Sequence, residues 1–129
     1  MKSFLIIGIG KFGAHLATRL TEMGNEVMVV DMDAENVSEL VDIVDNVQVA
    51  DCTKLDVLKS LGVQNFDTVF VTTATNFQSS LEITNLVKEL GAKRVISKAN
   101  TDIHAKFLSR NGADEVVYPE QDMAERYAV

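Results

Sequence analysis

The sequence has a single cysteine, no long apolar run and fewer basic than acidic residues, so it lacks the features that build disulfide frameworks, membrane spans and nucleic-acid surfaces. Its 129 residues include one cysteine, Cys52, which cannot form an internal disulfide and is compatible with a reducing compartment. No apolar run approaches the roughly 20 residues of a membrane-spanning helix. Twelve Lys and Arg stand against nineteen Asp and Glu, a net charge of −7. This balance argues against a general nucleic-acid surface, because phosphate neutralisation needs clustered basic residues.

Signals for metal binding and for export are also missing. His15 and His104 lie on helical patterns without metal-ligand spacing, and there is neither a zinc motif nor a P-loop. Only Met1, Lys2 and Ser3 precede the apolar run Phe4–Ile7, which argues against a signal peptide. We therefore expect one cytoplasmic domain. A membrane partner stays compatible, because association through another protein needs no span here.

The chain alternates β-rich runs with helical patterns. Several of the runs, such as Phe4–Ile7, are continuously apolar, which is typical of parallel strands covered on both faces. We predict strands over residues 3–9, 26–31, 47–49, 68–72, 94–97 and 115–118. We predict helices over residues 12–23, 34–41, 55–61, 77–90 and 102–111. The resulting fold class is α/β: a Rossmann-like, doubly wound, six-stranded parallel sheet in the order 3-2-1-4-5-6.

The strongest motif is a glycine fingerprint, G-x-G-x-x-G, between the first predicted strand and the first predicted helix. Gly8 permits a tight turn, Gly10 lets the backbone approach a pyrophosphate, and Gly13 lets the helix pack close to the strand. The N–H groups at the helix start favour phosphate. Asp31, about 20 residues further on, ends the second strand and accepts hydrogen bonds from ribose hydroxyls. The motif therefore predicts an adenine-nucleotide site.

Other candidates follow the carboxyl ends of later strands, where open α/β sheets bind ligands. Asp51 either fixes the exocyclic amine of adenine or caps the helix near Leu55. Cys52 fits a partly buried wall residue rather than a nucleophile, since no His and Asn partners are legible. The run from Thr72 to Thr75 offers hydroxyl and N–H groups near the phosphates, although turn chemistry explains much of it. Asp31 would repel the 2′-phosphate of NADP, the least favoured adenine cofactor.

Two lysines each have two interpretations, and one glutamate has a conditional role. Lys11 either neutralises terminal phosphate charge, which favours ATP or ADP, or is a solvated lysine at a helix start. Lys98 either reaches a phosphate of the ligand or of a neighbouring subunit, or is an exposed strand-end lysine. Glu120 contributes to a metal site only if a symmetric interface shares that site. The predicted cofactor-binding residues are Gly8, Gly10, Lys11, Phe12, Gly13, Asp31, Met32, Asp51, Cys52, Thr73, Ala74, Thr75 and Lys98.

Four segments together resemble the RCK domain, also called the KTN or TrkA-N domain, of cytosolic regulators of bacterial potassium channels and transporters. These segments are Ile6–Gly13, Val29–Asp33, Ala50–Thr53 and Gly112–Glu120. The ending Gly-Ala-Asp…Pro-Glu-x-Asp-Met-Ala is more discriminating than the glycine loop, which dehydrogenases share. The resemblance implies a non-enzymatic gating subunit of the KtrA or TrkA type. Such subunits bind ATP, ADP or NAD(H) and assemble as dimers, often as rings of eight domains, beneath a potassium-translocating membrane subunit.

Carried over by position, the resemblance implies that the glycines hold the phosphates, Asp31 binds ribose, and Asp51 and Cys52 flank adenine. Lys11 stands where Ktr-type members often have Arg, and lysine keeps the charge but loses the planar fork. Glu120 matches an acid that meets a divalent cation at the dimer interface in some members.

The resemblance also implies a division of the chain into two parts. Residues 1–120 would form the nucleotide-binding domain and residues 121–129 the start of a helix that crosses to a partner. The family's C-terminal subdomain is absent from the sequence, which would then be a shortened or a minimal form. The alternatives are the cofactor domain of an NAD-dependent oxidoreductase, for which no proton donor is visible, and a structural interaction domain without ligand.

Overall fold

Six parallel strands form a single sheet in this computed structural model, which describes residues 1–73 and 76–120. The strand order is β3-β2-β1-β4-β5-β6, and every neighbouring pair is parallel. This confirms the predicted fold class and strand order. The strands are β1 (Ser3–Ile7), β2 (Glu26–Asp31), β3 (Asn46–Val49), β4 (Thr68–Val71), β5 (Val95–Lys98) and β6 (Glu115–Val117).

Five α-helices connect the strands, close to the predicted ranges. They are α1 (Lys11–Glu22), α2 (Ala34–Ser38), α3 (Leu55–Leu61), α4 (Phe77–Glu89) and α5 (Asp102–Arg110). A short 3₁₀ helix at Val63–Asn65 was not predicted. None of the helices in the described part of the chain has the length and apolar character needed to cross a bilayer.

Two predicted element ends are wrong for local reasons. The first strand stops at Ile7 rather than Ile9, because Gly8 turns the backbone with a φ of +94°. The second helix stops at Ser38 rather than Val41. Beyond it, Leu40 donates to the carbonyl of Val37 at 3.0 Å, a tighter turn that ends the α-helix. Val41, the last residue of the predicted helix, lies beyond the observed one and is exposed.

Helices cover both faces of the sheet, and the reversal of strand order decides which helix covers which face. On one face, Ile6 and Val29 pack with Ala17 of α1 and Val37 of α2. On the other face, the apolar core joins β1, β2, β4 and β5 to Leu58 of α3 and to α4. The strand ends of β1 and β4 lie side by side where the order reverses. A ligand cleft is expected at that point.

Candidate functional site

The turn after β1 is built so that two of its glycines have no room for a side chain. A Cβ on Gly8 would lie 2.6 Å from the backbone nitrogen of Thr73, and a Cβ on Gly13 would lie 2.6 Å from the carbonyl oxygen of Gly8. The hydroxyl of Thr72 donates to that same Gly8 oxygen at 2.6 Å. This geometry agrees with the predicted tight turn and close helix packing. It also shows that the Thr72 hydroxyl serves the turn.

Gly10 precedes α1 and leaves the helix start open. Its extended backbone has φ −96°, and no side chain caps the helix there. The first intrahelical bond runs from the N–H of Ala14 to the carbonyl of Gly10 at 2.9 Å. The N–H groups of Lys11, Phe12 and Gly13 come before this bond, so they lack intrahelical acceptors. A helix start of this kind binds anions through its N–H groups and its dipole.

A cleft of about 620 Å³ opens beside this turn, between the ends of β1, β2 and β3 and the start of α4. Its volume lies in the range of small-molecule sites, about 300–1,000 Å³. Seven of the predicted cofactor-binding residues line it: Gly8, Gly10, Asp31, Met32, Asp51, Cys52 and Thr73. The structure therefore brings together residues from the ends of four different strands.

The carboxylate of Asp31 ties the glycine turn to the end of β2. One of its oxygens accepts the N–H of Ile9 at 2.6 Å, and the other accepts the N–H of Asp33 at 2.8 Å. Each carboxylate oxygen has lone pairs for a further hydrogen bond. Asp31 is thus fixed in the wall of the cleft and keeps the capacity to accept from a ribose hydroxyl. The sequence predicted the acid but not its bond to Ile9.

Asp51 is held by its neighbour Thr53 rather than by the following helix. One of its oxygens accepts the Thr53 hydroxyl at 2.6 Å and the Thr53 N–H at 3.0 Å. These two hydrogen bonds, the hydroxyl's first, lower the pKa of Asp51 below its usual value. The residue before α3 is Lys54, and no side chain caps that helix. The alternative that Asp51 caps the helix near Leu55 is therefore wrong, and an ionised acceptor stands in the cleft wall.

Cys52 is a wall residue of the cleft. It is only 3% exposed, and burial, followed by the charges of Asp51 and Asp31, raises the pKa of its thiol to about 12. A thiol that stays protonated at neutral pH is a poor nucleophile. This agrees with the prediction of a small wall residue.

Four predicted residues of the described chain lie away from the cleft lining. Lys11 is the exposed first residue of α1, Phe12 is half-buried beside it, and Gly13 packs under the turn. The side chain of Lys98, at the end of β5, is 9% exposed, and its ammonium lies 3.8 Å from the carboxylate of Glu120. The alternative that Lys98 is an exposed strand-end lysine is therefore wrong.

Three predictions are not settled by these contacts. Ala74 and Thr75, like the predicted crossover segment at residues 121–129, fall outside the described residues. Glu120 pairs with Lys98. Across residues 1–73 and 76–120, no group of three or more His, Cys, Asp or Glu side chains is placed to hold a metal ion.

The structure adds polar cleft residues that sequence reasoning missed. They are Asn36, Thr53, Asn76 and Ser79. Asn76 caps α4, since its side-chain oxygen accepts the N–H of Gln78 at 2.9 Å. An Asn directly before a helical pattern is a recognisable cap signal. Nothing in the sequence placed that cap beside the glycine turn.

Comparison with known protein families decides the family. The model of the TrkA-N domain matches residues 4–119, nearly the whole chain. The chain belongs to the TrkA-N domain family. Its resemblance to the RCK domain is thereby confirmed, and the glycine turn and Asp31 lie within the matched residues.

The curated relatives of this TrkA-N domain include potassium uptake proteins. It is 44% identical over 127 residues to Ktr system potassium uptake protein C of Bacillus subtilis, covering 98% of this chain and 58% of that protein. It is 37% identical to Ktr system potassium uptake protein A of the same organism, covering 98% of this chain and 57% of that protein. The chain thus spans less than two thirds of the length of these relatives.

Solved structures share the fold at lower identity. The NAD(P)-binding domain of an exopolyphosphatase-related protein from Archaeoglobus fulgidus superposes with a TM-score of 0.86 at 21% identity, covering 99% of this chain and 96% of that one. The GsuK channel bound to NAD gives a TM-score of 0.79 at 20% identity, covering 90% of this chain and 21% of that one. GsuK bound to ADP gives 0.79 at 20% identity, covering 91% and 31%. At these identities the likeness shows the fold alone.

Proposed function

We propose that this TrkA-N domain binds an adenine nucleotide and acts as the nucleotide-sensing part of a cytoplasmic regulatory subunit for potassium uptake. The observation that carries the proposal is the arrangement of the glycine turn, the open start of α1 and the clamped Asp31 around one cleft. Membership in the TrkA-N family and the potassium uptake proteins among its relatives support the transport role.

The chemistry of the cleft supports one orientation of the proposed nucleotide. Phosphates lie against Gly8 and Gly10 and the N–H groups of Lys11 to Gly13, where the helix dipole favours negative charge. Asp31 accepts from a ribose hydroxyl. The adenine ring extends over Cys52 towards Asp51, whose ionised carboxylate accepts from the exocyclic amine.

Charge around the cleft separates the possible nucleotides. Asp31 and Asp33 both line the cleft near the proposed ribose position, so they repel the 2′-phosphate of NADP. Lys11 begins α1, one residue after Gly10, and supplies a cation at the phosphate end. ATP, ADP and NAD(H) therefore remain the ligands that the site suits.

The proposal assigns no catalytic residue. The Cys52 thiol is protonated and buried, and the Asp31 carboxylate already accepts two backbone N–H groups. A regulatory ligand acts by binding two states of the protein with different affinity, and no reaction is needed. Met32, Thr73, Ala74 and Thr75 then serve as binding contacts around the nucleotide.

Assembly is the second part of the proposal. Ile103 and Phe107 stand one turn apart on α5 and are exposed, which suits a contact between copies in a dimer or a ring. Such a ring would lie on the inner face of the cell membrane, held there by a potassium-translocating partner. Glu120 is the residue that would bind a divalent cation shared between two copies, and its ion pair with Lys98 would then break.

A thermal-shift series tests nucleotide binding. ATP, ADP, NAD, NADH and NADP are each added to the chain, and to Asp31→Ala and Asp42→Asn variants. We expect the adenine nucleotides other than NADP to raise the Tm of the unmodified chain and of Asp42→Asn, whose exposed acid lies away from the cleft. Asp31→Ala should show a much smaller rise at the same nucleotide concentration. If no nucleotide raises the Tm of the unmodified chain, the proposal fails.

A further inference from the structure

The negative charge of this chain is concentrated in one segment. Residues 31–56 contain eight Asp and Glu and a single basic residue, Lys54, a net charge of −7. The other residues carry eleven acidic and eleven basic side chains and are neutral overall. The whole net charge of the molecule therefore belongs to the segment that runs from the end of β2 through α2 and β3 to the first turn of α3.

The middle of that segment is an open sheet edge. Within residues 1–73 and 76–120, β3 pairs with β2 alone and is the outermost strand on its side of the sheet. The N–H of Ala50 donates to the carbonyl of Asp31 at 3.0 Å, so the backbone groups of every second residue, Gln48 and Asn46, also face β2. The backbone N–H and C=O groups of Val47 and Val49 then face outward. Such a row is a template for one more strand.

Apolar side chains flank this edge. Val49 at the end of β3 is 53% exposed, and Val41 and Ile43, in the turns that lead into β3, are 54% and 44% exposed. Asp42 and Asp45 alternate with them and are also exposed. The edge thus combines outward backbone groups, exposed apolar surface and carboxylates.

We propose that the β3 edge receives an extended, basic segment of a partner protein as an added strand. Backbone hydrogen bonds to Val47 and Val49 would hold it, apolar side chains would cover Val49, and Lys or Arg would meet Asp42 and Asp45. A second copy of this edge would bring like charge against like charge. Anionic lipid and nucleic acid are repelled for the same reason. The proposal goes beyond nucleotide binding and does not depend on it.

Carboxylates beside an open edge also guard it against self-pairing. That protective role predicts a surface that repels copies of itself and binds nothing. The proposed role predicts in addition that an oppositely charged strand is accepted. A designed peptide separates the two.

The probe is a ten-residue peptide that alternates valine and lysine, titrated into the whole chain and followed by backbone amide shifts in NMR. Two control peptides are used: one with glutamate in place of lysine, and one with N-methyl groups on alternate residues, which removes the donors of one edge. We expect the first peptide to bind with shifts centred on Val47 and Val49. Binding should weaken about tenfold or more from low to high salt, and both control peptides should fail.

Charge-reversed variants complete the test. Asp42→Lys with Asp45→Lys should reduce binding at least about tenfold, because two carboxylates at the edge become cations. The matched control, Glu22→Lys with Glu26→Lys, reverses two exposed acids outside the acidic segment and should bind as before. Four outcomes would overturn the proposal: no binding, equal binding of the N-methylated peptide, shifts centred elsewhere, or self-association through β3 in its place.

Discussion

The two ends of the cleft are built by different means. At the end proposed for the ribose and the first two phosphates, which we call the rigid end, Asp31, Ile9 and Gly8 are fixed by short backbone contacts, and a side chain on Gly8 has no space. At the end proposed for the terminal phosphate, which we call the phosphate end, the cation nearest the glycine turn in sequence is Lys11, an exposed side chain that makes no ion pair with a carboxylate of residues 1–73 and 76–120.

This difference assigns two tasks to two ends of the cleft. The rigid end would bind any of these nucleotides, and the phosphate end would distinguish one nucleotide from another. ATP, ADP and NAD share adenosine and two phosphates, which the rigid end would hold alike. They differ beyond those phosphates, where the chain offers the exposed cation of Lys11. Because a ligand shifts a conformational equilibrium only through its different affinity for the two states, the phosphate end is the place for sensing.

The largest effect is expected at the rigid end. Gly13→Val places a side chain against the carbonyl of Gly8, which lies 2.6 Å from the Cβ position. Since both groups are backbone-anchored, we expect the free energy of unfolding to fall by about 3 kcal/mol, with loss of nucleotide binding. Urea denaturation measures the first effect. A variant as stable as the unmodified chain would show that α1 packs less tightly than this structure has it.

Gly10→Val separates folding from binding at the same turn. Gly10 has a negative φ and no left-handed backbone conformation, so a valine is compatible with the backbone. Its side chain would occupy the space through which a phosphate approaches the helix start. We expect a folded protein with no detectable nucleotide binding. Undiminished binding in calorimetry would contradict the assignment of the phosphates to this turn.

The phosphate end predicts a smaller and selective effect. Lys11→Gln removes one exposed cation, so we expect ATP affinity to fall about tenfold, near 1.4 kcal/mol, and NAD affinity to change little. Lys106→Gln on α5, also exposed, is the matched control and should leave both affinities as they were. Equal losses of affinity for ATP and NAD in Lys11→Gln would contradict the claim that the phosphate end distinguishes the nucleotides.

The effect that is smallest at neutral pH concerns the Cys52 thiol in the cleft wall. Its pKa is raised to about 12 by burial, followed by the charges of Asp51 and Asp31, whereas an unfolded thiol titrates near 8.5. The folded state therefore keeps its proton when the unfolded state loses it. The contribution of the protonated Cys52 thiol to the free energy of unfolding is fully present below about pH 8.5 and is lost as the pH rises towards 12. Cys52→Ala should remove this part of the alkaline decline in urea midpoints, and an identical decline in the variant would contradict the assignment.

More of the rigid end than of the rest of the site could be predicted from the sequence. The glycine spacing and Asp31 predicted the turn because backbone sterics allow few alternatives there. Strand order followed from the alternation of β and α elements and the right-handed crossover. The hydrogen bond from Leu40 to Val37 ends α2 early, and the periodicity of the apolar residues does not reveal that end. The Ile9–Asp31 bond and the Lys98–Glu120 pair join distant residues, so only the fold brings them together.

Calorimetric titration of ADP into the unmodified chain tests the central claim most directly, with Asp31→Ala and Asp42→Asn measured beside it. The claim is that the clamped Asp31 and the glycine turn hold one nucleotide. We expect saturable binding of one ADP per chain, unchanged in Asp42→Asn and weakened at least about thirtyfold in Asp31→Ala, near 2 kcal/mol for a charged hydrogen bond. Binding of equal strength in Asp31→Ala, or no binding by the unmodified chain, would contradict the account.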